Sequence, residues 1–295
     1  MTYTGNTKIN EVINDSAFHG KGRLLFPVQR GYMSGNTLGS MDLTWYSEID
    51  GNMTVTICNH LKERTEAGEK IFFDIYSEEE KKADPRKNDT GLWYFKGEPG
   101  SRFAVCNAGG GFAYVGAMHD SMPHAYTLSQ NGYHAFALIY RPGSQTACED
   151  LARAIAFIFE HAEELDINTD CYSLWGGSAG ARMAAWLGSY GTAAFGEKPC
   201  PNAGTVVMQY TGLGEVFGNE PPTYNCVGTA DWIASYQTME RRIERIRRNG
   251  TDAMTEVFPG LDHGFGLGTH TKAEGWINNA IAFWAKQMIL ERKRI

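Results

Sequence analysis

The sequence predicts an α/β fold in which a mostly parallel sheet is covered by helices on both faces. From residue 70 onward, apolar runs alternate between strand-like and helix-like periods, which is typical of strand–helix–strand units. The run FALIY at 136–140 is apolar throughout, as expected for a central strand buried on both faces. A length of 295 residues is ordinary for one large α/β domain.

The predicted strands are short apolar runs rich in β-branched or aromatic residues and bounded by turn residues. They lie at 71–76, 92–95, 102–106, 136–140, 172–175, 205–210, 224–227 and 254–258. The charged segment 78–90, which contains Pro85, is predicted to be a hairpin between the first two strands.

The predicted helices lie between these strands. Residues 121–132 form the first, and Thr146 and Glu149 match a capping box in front of an amphipathic helix. A helix at 181–187 follows a glycine turn, and another runs from Tyr236 to Gly250. The last predicted helix covers 276–288.

Residues 1–65 differ from the rest of the chain. They contain scattered glycines and aromatic residues and one predicted helix at 55–62, but too few apolar residues recur at either period to make a core of their own. We therefore predict an N-terminal extension at 1–65, packed on a main domain at 66–295 and covering part of its active face. Burial is the more expected role of these residues, and substrate contact the alternative.

Composition and charge exclude several classes of function. The chain has 27 Lys and Arg residues against 34 Asp and Glu, and its net charge of -7 disfavours nucleic acid and anionic membranes as partners. No apolar run approaches the roughly 18 residues of a membrane span. The start lacks a secretory signal, so the chain is expected to be cytoplasmic, with an already trimmed secreted form as the alternative. The six cysteines are spread singly and form no Cys-x-x-Cys metal or redox motif, which predicts free thiols, with a disulfide as the alternative.

The sequence GGSAG at 176–180 is the strongest chemical signal. It follows a strand-like run and precedes a helix, where a tight turn holds a serine in a strained conformation and exposes its hydroxyl. Gly176 and Gly180 provide the space that the close approach of strand and helix requires. Ser178 is therefore a candidate nucleophile, with an incidental serine in a glycine-rich turn as the alternative.

A second glycine-rich segment, NAGGGF at 107–112, follows the strand at 102–106. Its backbone N–H groups are unobstructed by side chains and can converge on one point, as a site that stabilises an oxyanion requires. Phosphate binding is the rival interpretation, but no Gly-Lys-Ser/Thr follows.

Serine needs a positioned base, and the base needs an acidic partner. Among eight histidines, His263 lies in a glycine-flanked loop between the strand at 254–258 and the final helix. Asp231 follows the preceding strand. The chain order Ser178, Asp231, His263 matches one known triad arrangement and excludes the orders of two unrelated protease folds.

These segments resemble the α/β-hydrolase superfamily, especially its esterase branches with three consecutive glycines, which include hormone-sensitive-lipase-like and acetyl-xylan or feruloyl esterase-like enzymes. The resemblance runs from about Lys70 to the C-terminus and rests on residues 109–112, 140–141, 150, 176–180, 228–231 and 263–265. The lipase-like branch has histidine before its glycines, whereas this chain has Ala108 there, which favours the acetyl-esterase-like relatives.

The resemblance implies an α/β-hydrolase fold and a role for each of the matching residues. Ser178 would be the nucleophile, His263 the base and Asp231 the acid. The backbone N–H groups of Gly110, Gly111 and Ala179 would form the oxyanion hole.

The expected function is that of a serine esterase acting on short acyl esters such as acetate, with carbohydrate esters among the candidates. Phe112, Tyr114 and Trp232 are candidate contacts to a sugar or aryl ring, and core packing is their alternative role. The expected partner is a small-molecule or oligosaccharide ester; no metal or organic cofactor is needed, and a homodimer is one option for the assembly. The alternatives are a serine peptidase or amidase of the same fold and a non-catalytic binding protein.

Overall fold

The computed structural model describes residues 2–293. The helices are α1 (Ile9–Ile13), α2 (Gly51–Glu66), α3 (Glu78–Ala83), α4 (Ala117–Asp120), α5 (Met122–Gln130), α6 (Ser144–Glu160), α7 (Ala179–Tyr190), α8 (Tyr236–Arg248) and α9 (Trp276–Arg292). The strands are β1 (Met33–Ser34), β2 (Asp42–Leu43), β3 (Phe72–Phe73), β4 (Gly91–Phe95), β5 (Arg102–Asn107), β6 (His134–Ile139), β7 (Asn168–Gly177), β8 (Thr205–Gln209), β9 (Thr223–Gly228) and β10 (Ala253–Phe258).

Eight strands form one sheet, in the order β10-β9-β8-β7-β5-β6-β4-β3. The six strands from β10 to β6 are parallel, whereas β4 and β3 pair antiparallel at one end. Parallel strands that follow one another in the chain are connected through helices or, between β8 and β9, through a long loop, because parallel strands require a crossover connection. The carboxyl ends of the six parallel strands consequently meet at one edge of the sheet, which confirms the predicted fold class.

Two groups of helices cover the sheet. Helices α6 and α7 pack together, and α7 packs on β7 and β8. Helix α5 packs on β5 and β6, and α9 packs on β7, β8 and β9. The rings of His124 in α5 and Trp276 at the start of α9 are 5.5 Å apart, so α5 contacts the first residue of α9.

Three local predictions are wrong. The strand predicted at 71–76 is reduced to Phe72–Phe73, and the segment 78–90 is not a hairpin. It forms α3, capped by the Ser77 hydroxyl in a capping box, and then a 3₁₀ helix at Pro85–Asp89. The capping box at Thr146 does not exist, because α6 begins at Ser144 and the Thr146 hydroxyl donates to the carbonyl of Pro142 inside the first turn.

Residues 3–61 contribute side chains to the same hydrophobic core as the sheet. Leu24, Leu25, Ile57 and Leu61 are almost completely buried in that core. The predicted helix at 55–62 is longer than expected and spans Gly51–Glu66, with the Asp50 side chain accepting hydrogen bonds at its N-terminus. The first 65 residues thus lie against the rest of the molecule.

Gly180 lies where α7 comes very close to β5. A substitution at this position therefore tests how tightly the helix packs on the sheet. A Cβ atom at this position would lie 2.0 Å from the carbonyl oxygen of Asn107, a backbone atom with no freedom to move away. We expect Gly180→Ala to lower the free energy of unfolding by at least ~3 kcal/mol, measured by urea denaturation, because overpacking against backbone forces strand and helix apart.

Gly31→Ala is the matched control for this substitution. A Cβ at Gly31 would have no atom within 4 Å, so the free energy of unfolding should change by less than ~0.5 kcal/mol. Equal stability of Gly180→Ala and the unmodified protein would contradict the close approach of α7 to β5.

Candidate active site

Ser178 lies at the turn between β7 and α7. Its backbone has φ 52° and ψ −113°, a conformation that residues with a side chain rarely adopt. The flanking glycines are required by space, since a Cβ at Gly176 would lie 2.2 Å from the carbonyl carbon of Gly180. Strain of this kind persists only where the surrounding structure holds it, and it is concentrated at functional sites.

The structure brings Ser178 together with His263 and Asp231. His263 Nε2 lies 3.2 Å from Ser178 Oγ, and His263 Nδ1 lies 2.8 Å from Asp231 Oδ2. The side chains of His263 and Asp231 are 2% and 0% exposed, so water does not compete for this second hydrogen bond. Because a carboxylate only accepts hydrogen bonds, Nδ1 carries the proton and Nε2 is free to accept one from the serine hydroxyl.

The fold explains why three distant residues meet. Ser178 follows β7, Asp231 follows β9 and His263 follows β10, and these strands are parallel. Asp231 is itself held in place, because its Oδ1 accepts the N–H groups of Ile233 at 2.8 Å and Ala234 at 2.7 Å. The carboxylate is therefore fixed from both sides, by its own loop and by His263.

The glycine loop after β5 lies beside Ser178. A Cβ built at Gly109 would be 2.8 Å from Ser178 Cβ, which measures how closely the loop approaches the hydroxyl. Gly110 and Gly111 adopt φ of 121° and 62°, conformations open to glycine but strained for other residues. Among the described residues, the N–H groups of Gly110, Gly111 and Ala179 have no hydrogen-bond acceptor, whereas the N–H of Gly109 donates to Asp120.

Asp120, at the end of α4, is a site residue that the sequence did not reveal. Its side chain accepts hydrogen bonds from the N–H of Gly109 at 2.6 Å, from the hydroxyl of Tyr46 at 2.9 Å and from the hydroxyl of Tyr210. Burial raises the pKa of Asp120 to about 6, and the three hydrogen bonds oppose that rise. The one available signal was that Asp120 is the only acidic residue between Glu98 and Glu149.

Residues 44–47 of the N-terminal part also reach the site. The Ser47 hydroxyl donates to the backbone carbonyl of His263 at 2.8 Å, and the Ser47 N–H donates to the carbonyl of Gly264 at 3.2 Å. The Tyr46 hydroxyl bonds Asp120, as described above. The carbonyl of Thr44 accepts a hydrogen bond from the hydroxyl of Tyr114. This segment therefore contacts both the glycine loop and the loop at residues 259–266 that carries His263, which we call the base loop.

The three predicted substrate contacts have different positions. Trp232, next to Asp231, is 70% exposed and free to contact a ligand. Phe112 is half-buried, with its ring stacked 6.1 Å from that of Trp186. Tyr114 is 0% exposed, so its assignment as a substrate contact is wrong. Its ring stacks on Tyr32 and its hydroxyl is used by a backbone carbonyl, because the loop turns this side chain into the core.

Three further findings concern the described residues as a whole. No helix there is long and apolar enough to cross a membrane. Residues 2–293 contain no cluster of three or more His, Cys, Asp or Glu side chains arranged to hold a metal ion. All six cysteines are free thiols, and five of them are buried.

Comparison with solved structures shows that this chain has the α/β-hydrolase fold. An esterase from the Planctomycetes species Thermogutta terrifontis, Est2 with propionate bound, superposes with a TM-score of 0.58 at 22% identity, covering 67% of this chain and 89% of that chain. MGS-M1, an α/β hydrolase from a Medee basin deep-sea metagenome library, superposes with a TM-score of 0.59 at 18% identity, covering 67% and 92%.

Within this class, residues 96–209 match the model of the BD-FAE family of α/β hydrolases. The matched segment includes the glycine loop, Asp120 and Ser178. The Thermogutta esterase has also been solved phosphorylated by paraoxon, and that structure superposes with a TM-score of 0.57 at 21% identity, covering 67% of this chain and 88% of that chain. No curated protein sequence matches the chain significantly.

Proposed function

We propose that this protein is a serine esterase that hydrolyses short-chain acyl esters through an acyl-enzyme. The observation that carries the proposal is the continuous chain of hydrogen bonds from Asp231 through His263 to Ser178, on a strained turn. This arrangement supplies a nucleophile, a base in the correct tautomer and a group that stabilises the imidazolium.

Acylation begins with attack of Ser178 Oγ on the ester carbonyl carbon. His263 Nε2 takes the hydroxyl proton as the new C–O bond forms, and the carbonyl oxygen becomes an oxyanion. The imidazolium then gives this proton to the leaving alcohol as the old C–O bond breaks. Water repeats the sequence on the acyl-serine, releasing the carboxylic acid and restoring Ser178.

The N–H groups of Gly110, Gly111 and Ala179 are the donors that we assign to the oxyanion. Their lack of a protein acceptor among residues 2–293 supports this assignment, because free N–H groups beside a nucleophile are available to developing negative charge. Ala179 is the first residue of α7, whose N-terminal dipole adds to the same stabilisation.

Short acyl groups are supported by structures of a similar esterase, and the surface near Ser178 bears on the alcohol part of the substrate. The Thermogutta esterase has been solved with propionate and with butyrate bound. Trp232 is exposed beside the triad and Phe112 is half-buried at the glycine loop, which offers flat apolar surface to the alcohol part of a substrate. Acetylated carbohydrates are the candidate natural substrates, in line with the acetyl-esterase-like sequence pattern.

The test is a panel of substrates assayed with the purified protein and with Ser178→Ala. The panel consists of p-nitrophenyl acetate, butyrate, octanoate and laurate, acetylated xylo-oligosaccharides, and p-nitroacetanilide as the amide analogue. We expect the highest kcat/KM on acetate or butyrate, lower values as the chain lengthens, and negligible anilide hydrolysis.

Each outcome of the panel decides something definite. Equal rates for the two proteins on every substrate would refute the esterase proposal and favour a non-catalytic binding protein. Faster cleavage of the anilide than of the esters would replace it with an amidase. A preference for laurate would keep the esterase but overturn the short-chain assignment.

A further inference from the structure

Asp120 connects three separate parts of the chain at the active site. The N–H of Gly109 belongs to the loop after β5, Tyr46 belongs to the N-terminal part, and Tyr210 follows β8. The carboxylate lies directly behind the nucleophile turn, since a Cβ at Gly177 would be 2.3 Å from Asp120 Oδ1. It is the acceptor common to all three donors.

The hydrogen bond to Gly109 bears on the oxyanion donors. Gly109 precedes Gly110 and Gly111 and uses its own N–H to bind Asp120 rather than to face Ser178. Two consecutive glycines have wide conformational freedom, so a loop of this kind needs an anchor if its next N–H groups are to keep one direction. Asp120 provides that anchor at 2.6 Å.

The hydrogen bond to Tyr210 bears on the base. The Tyr210 ring packs edge-on against the imidazole of His263, with ring centroids 5.1 Å apart. Tyr210 has φ 33°, an unusual backbone conformation for a residue with a large side chain. Its hydroxyl donates to Asp120, which fixes the ring that packs against the imidazole.

The base loop is held from the same region by two further contacts. His119, the neighbour of Asp120 in α4, bonds the carbonyl of Gly264 through Nε2 at 2.8 Å. Tyr46, which donates to Asp120, directly precedes Ser47, which donates to the carbonyl of His263. The position of the base loop therefore depends on the groups around Asp120.

These contacts lead us to propose that Asp120 is a positioning residue of the esterase site. Through its hydrogen bonds to Gly109, Tyr210 and Tyr46, Asp120 holds the glycine loop and the imidazole of His263 in fixed positions relative to Ser178. Residues 44–47 belong to the same set of hydrogen bonds around Asp120 and His263. The N-terminal part therefore has a role in catalysis rather than in folding alone. The proposal rests on the proposed esterase function.

A carboxylate suits this role better than an isosteric amide. All three partners are donors, and a carboxylate accepts from several donors at once, whereas an amide has one acceptor oxygen and places an NH₂ group against a donor. Burial raises the pKa of both tyrosine hydroxyls well above its ordinary value, so Tyr46 and Tyr210 remain donors at neutral pH. Errors of about 1 Å in the placement of reacting groups can cost ~10²-fold in rate.

The first experiment compares Asp120→Asn and Tyr210→Phe with a matched control, Tyr76→Phe. Tyr76 also donates to a buried aspartate, Asp150, at 2.6 Å, but it follows β3, the strand at the opposite end of the sheet from β10. Steady-state kinetics on p-nitrophenyl acetate and thermal denaturation are measured for each variant. We expect Asp120→Asn to lower kcat by ~10- to 100-fold with KM changed less than ~3-fold.

The control separates positioning from folding. Tyr76→Phe is expected to lower the melting temperature but to keep kcat within ~2-fold, once the rate is divided by the folded fraction. A kcat for Asp120→Asn within ~2-fold of the unmodified protein would overturn the inference. If the unmodified protein itself hydrolysed no ester, the proposed function would fail instead.

A double-substitution cycle gives a readout that a purely structural role would not move. If Tyr210 and Tyr46 act on the site through Asp120, then Tyr210→Phe and Tyr46→Phe should each lower kcat in the unmodified protein but have little further effect in Asp120→Asn. Fully additive losses in kcat would show that the tyrosines act independently of Asp120, and would refute the proposed positioning role of Asp120.

Stability as a function of pH tests the buried carboxylate without any activity assay. The titratable groups that interact with Asp120 come from every element packed around it: Tyr46, Cys106, Tyr114, His124, Tyr140, Tyr210, Cys226 and His263. With a folded-state pKa of about 6, above its unfolded value near 4, Asp120 favours the folded state below pH ~4 and loses that contribution as pH rises to ~6. The unfolding free energy of the unmodified protein minus that of Asp120→Asn should therefore fall across this window, whereas a flat difference would contradict a buried titrating carboxylate.

Discussion

Ser178→Ala is expected to lower kcat on p-nitrophenyl acetate by ~10⁴- to 10⁶-fold, the range seen when the nucleophile of a serine hydrolase is removed. The physical reason is the loss of the only hydroxyl within reach of His263 Nε2, at 3.2 Å among the described residues. The residual rate reflects what the oxyanion donors and the bound water achieve without a covalent intermediate. Stopped assays with high enzyme concentration make this range measurable.

Organophosphonate labelling provides an independent measurement of the same prediction. A fluorescent phosphonate should modify the unmodified protein once per chain and should not modify Ser178→Ala. Ser173→Ala is the matched control, because Ser173 lies on the same strand with its hydroxyl bonded to the carbonyl of Thr205, away from the turn. Labelling of Ser178→Ala at the normal rate would show that another residue is the nucleophile.

His263→Ala is expected to lower turnover at least ~10³-fold, because the members of a triad depend on one another. Without the imidazole, Ser178 has no group among the described residues to accept its proton, and the leaving alcohol has no proton donor. The effect should appear mainly in kcat, since His263 acts on the transition state rather than on substrate binding.

His161→Ala is the matched control for this substitution. His161 follows α6 and bonds the carbonyl of Phe157 through Nδ1 at 2.8 Å, so its removal changes one histidine without touching the site. Turnover should stay within ~2-fold of the unmodified protein. A loss of less than ~10-fold in His263→Ala, with the protein folded, would assign the base to another residue.

Much of the fold could be predicted because strands buried on both faces are apolar throughout. Five of the six parallel strands were predicted to within two residues at each end, and β9, for example, differs by one residue at each end. The exception is β7, which was predicted at 172–175 and spans Asn168–Gly177. Segments of mixed polarity were predicted less well. Residues 78–90 form helices where a hairpin was expected, because the cap at Ser77 and the first-turn glutamates favour α3.

Ser178, Asp231 and His263 could be proposed from local signals, since each follows a strand-like run at a glycine-rich turn. Their assembly at one edge follows from the parallel order of β7, β9 and β10. Tyr114 could not be assigned in this way. An aromatic residue in a loop has no periodicity to show which side faces the core, and here the ring faces Tyr32.

The sequence by itself determined the order of the candidate site residues along the chain. A glycine loop comes first, followed by a serine, an acid and a base, each after a strand of a parallel sheet. Only the tertiary structure decided that Asp120 lies behind Gly177 and that residues 44–47 bind the base loop. The hydrogen bonds from Tyr46 to Asp120 and from Ser47 to His263 join residues that are 74 and 216 positions apart. Such pairings leave no local pattern, because a buried hydrogen bond depends on where two segments meet rather than on their neighbours in sequence.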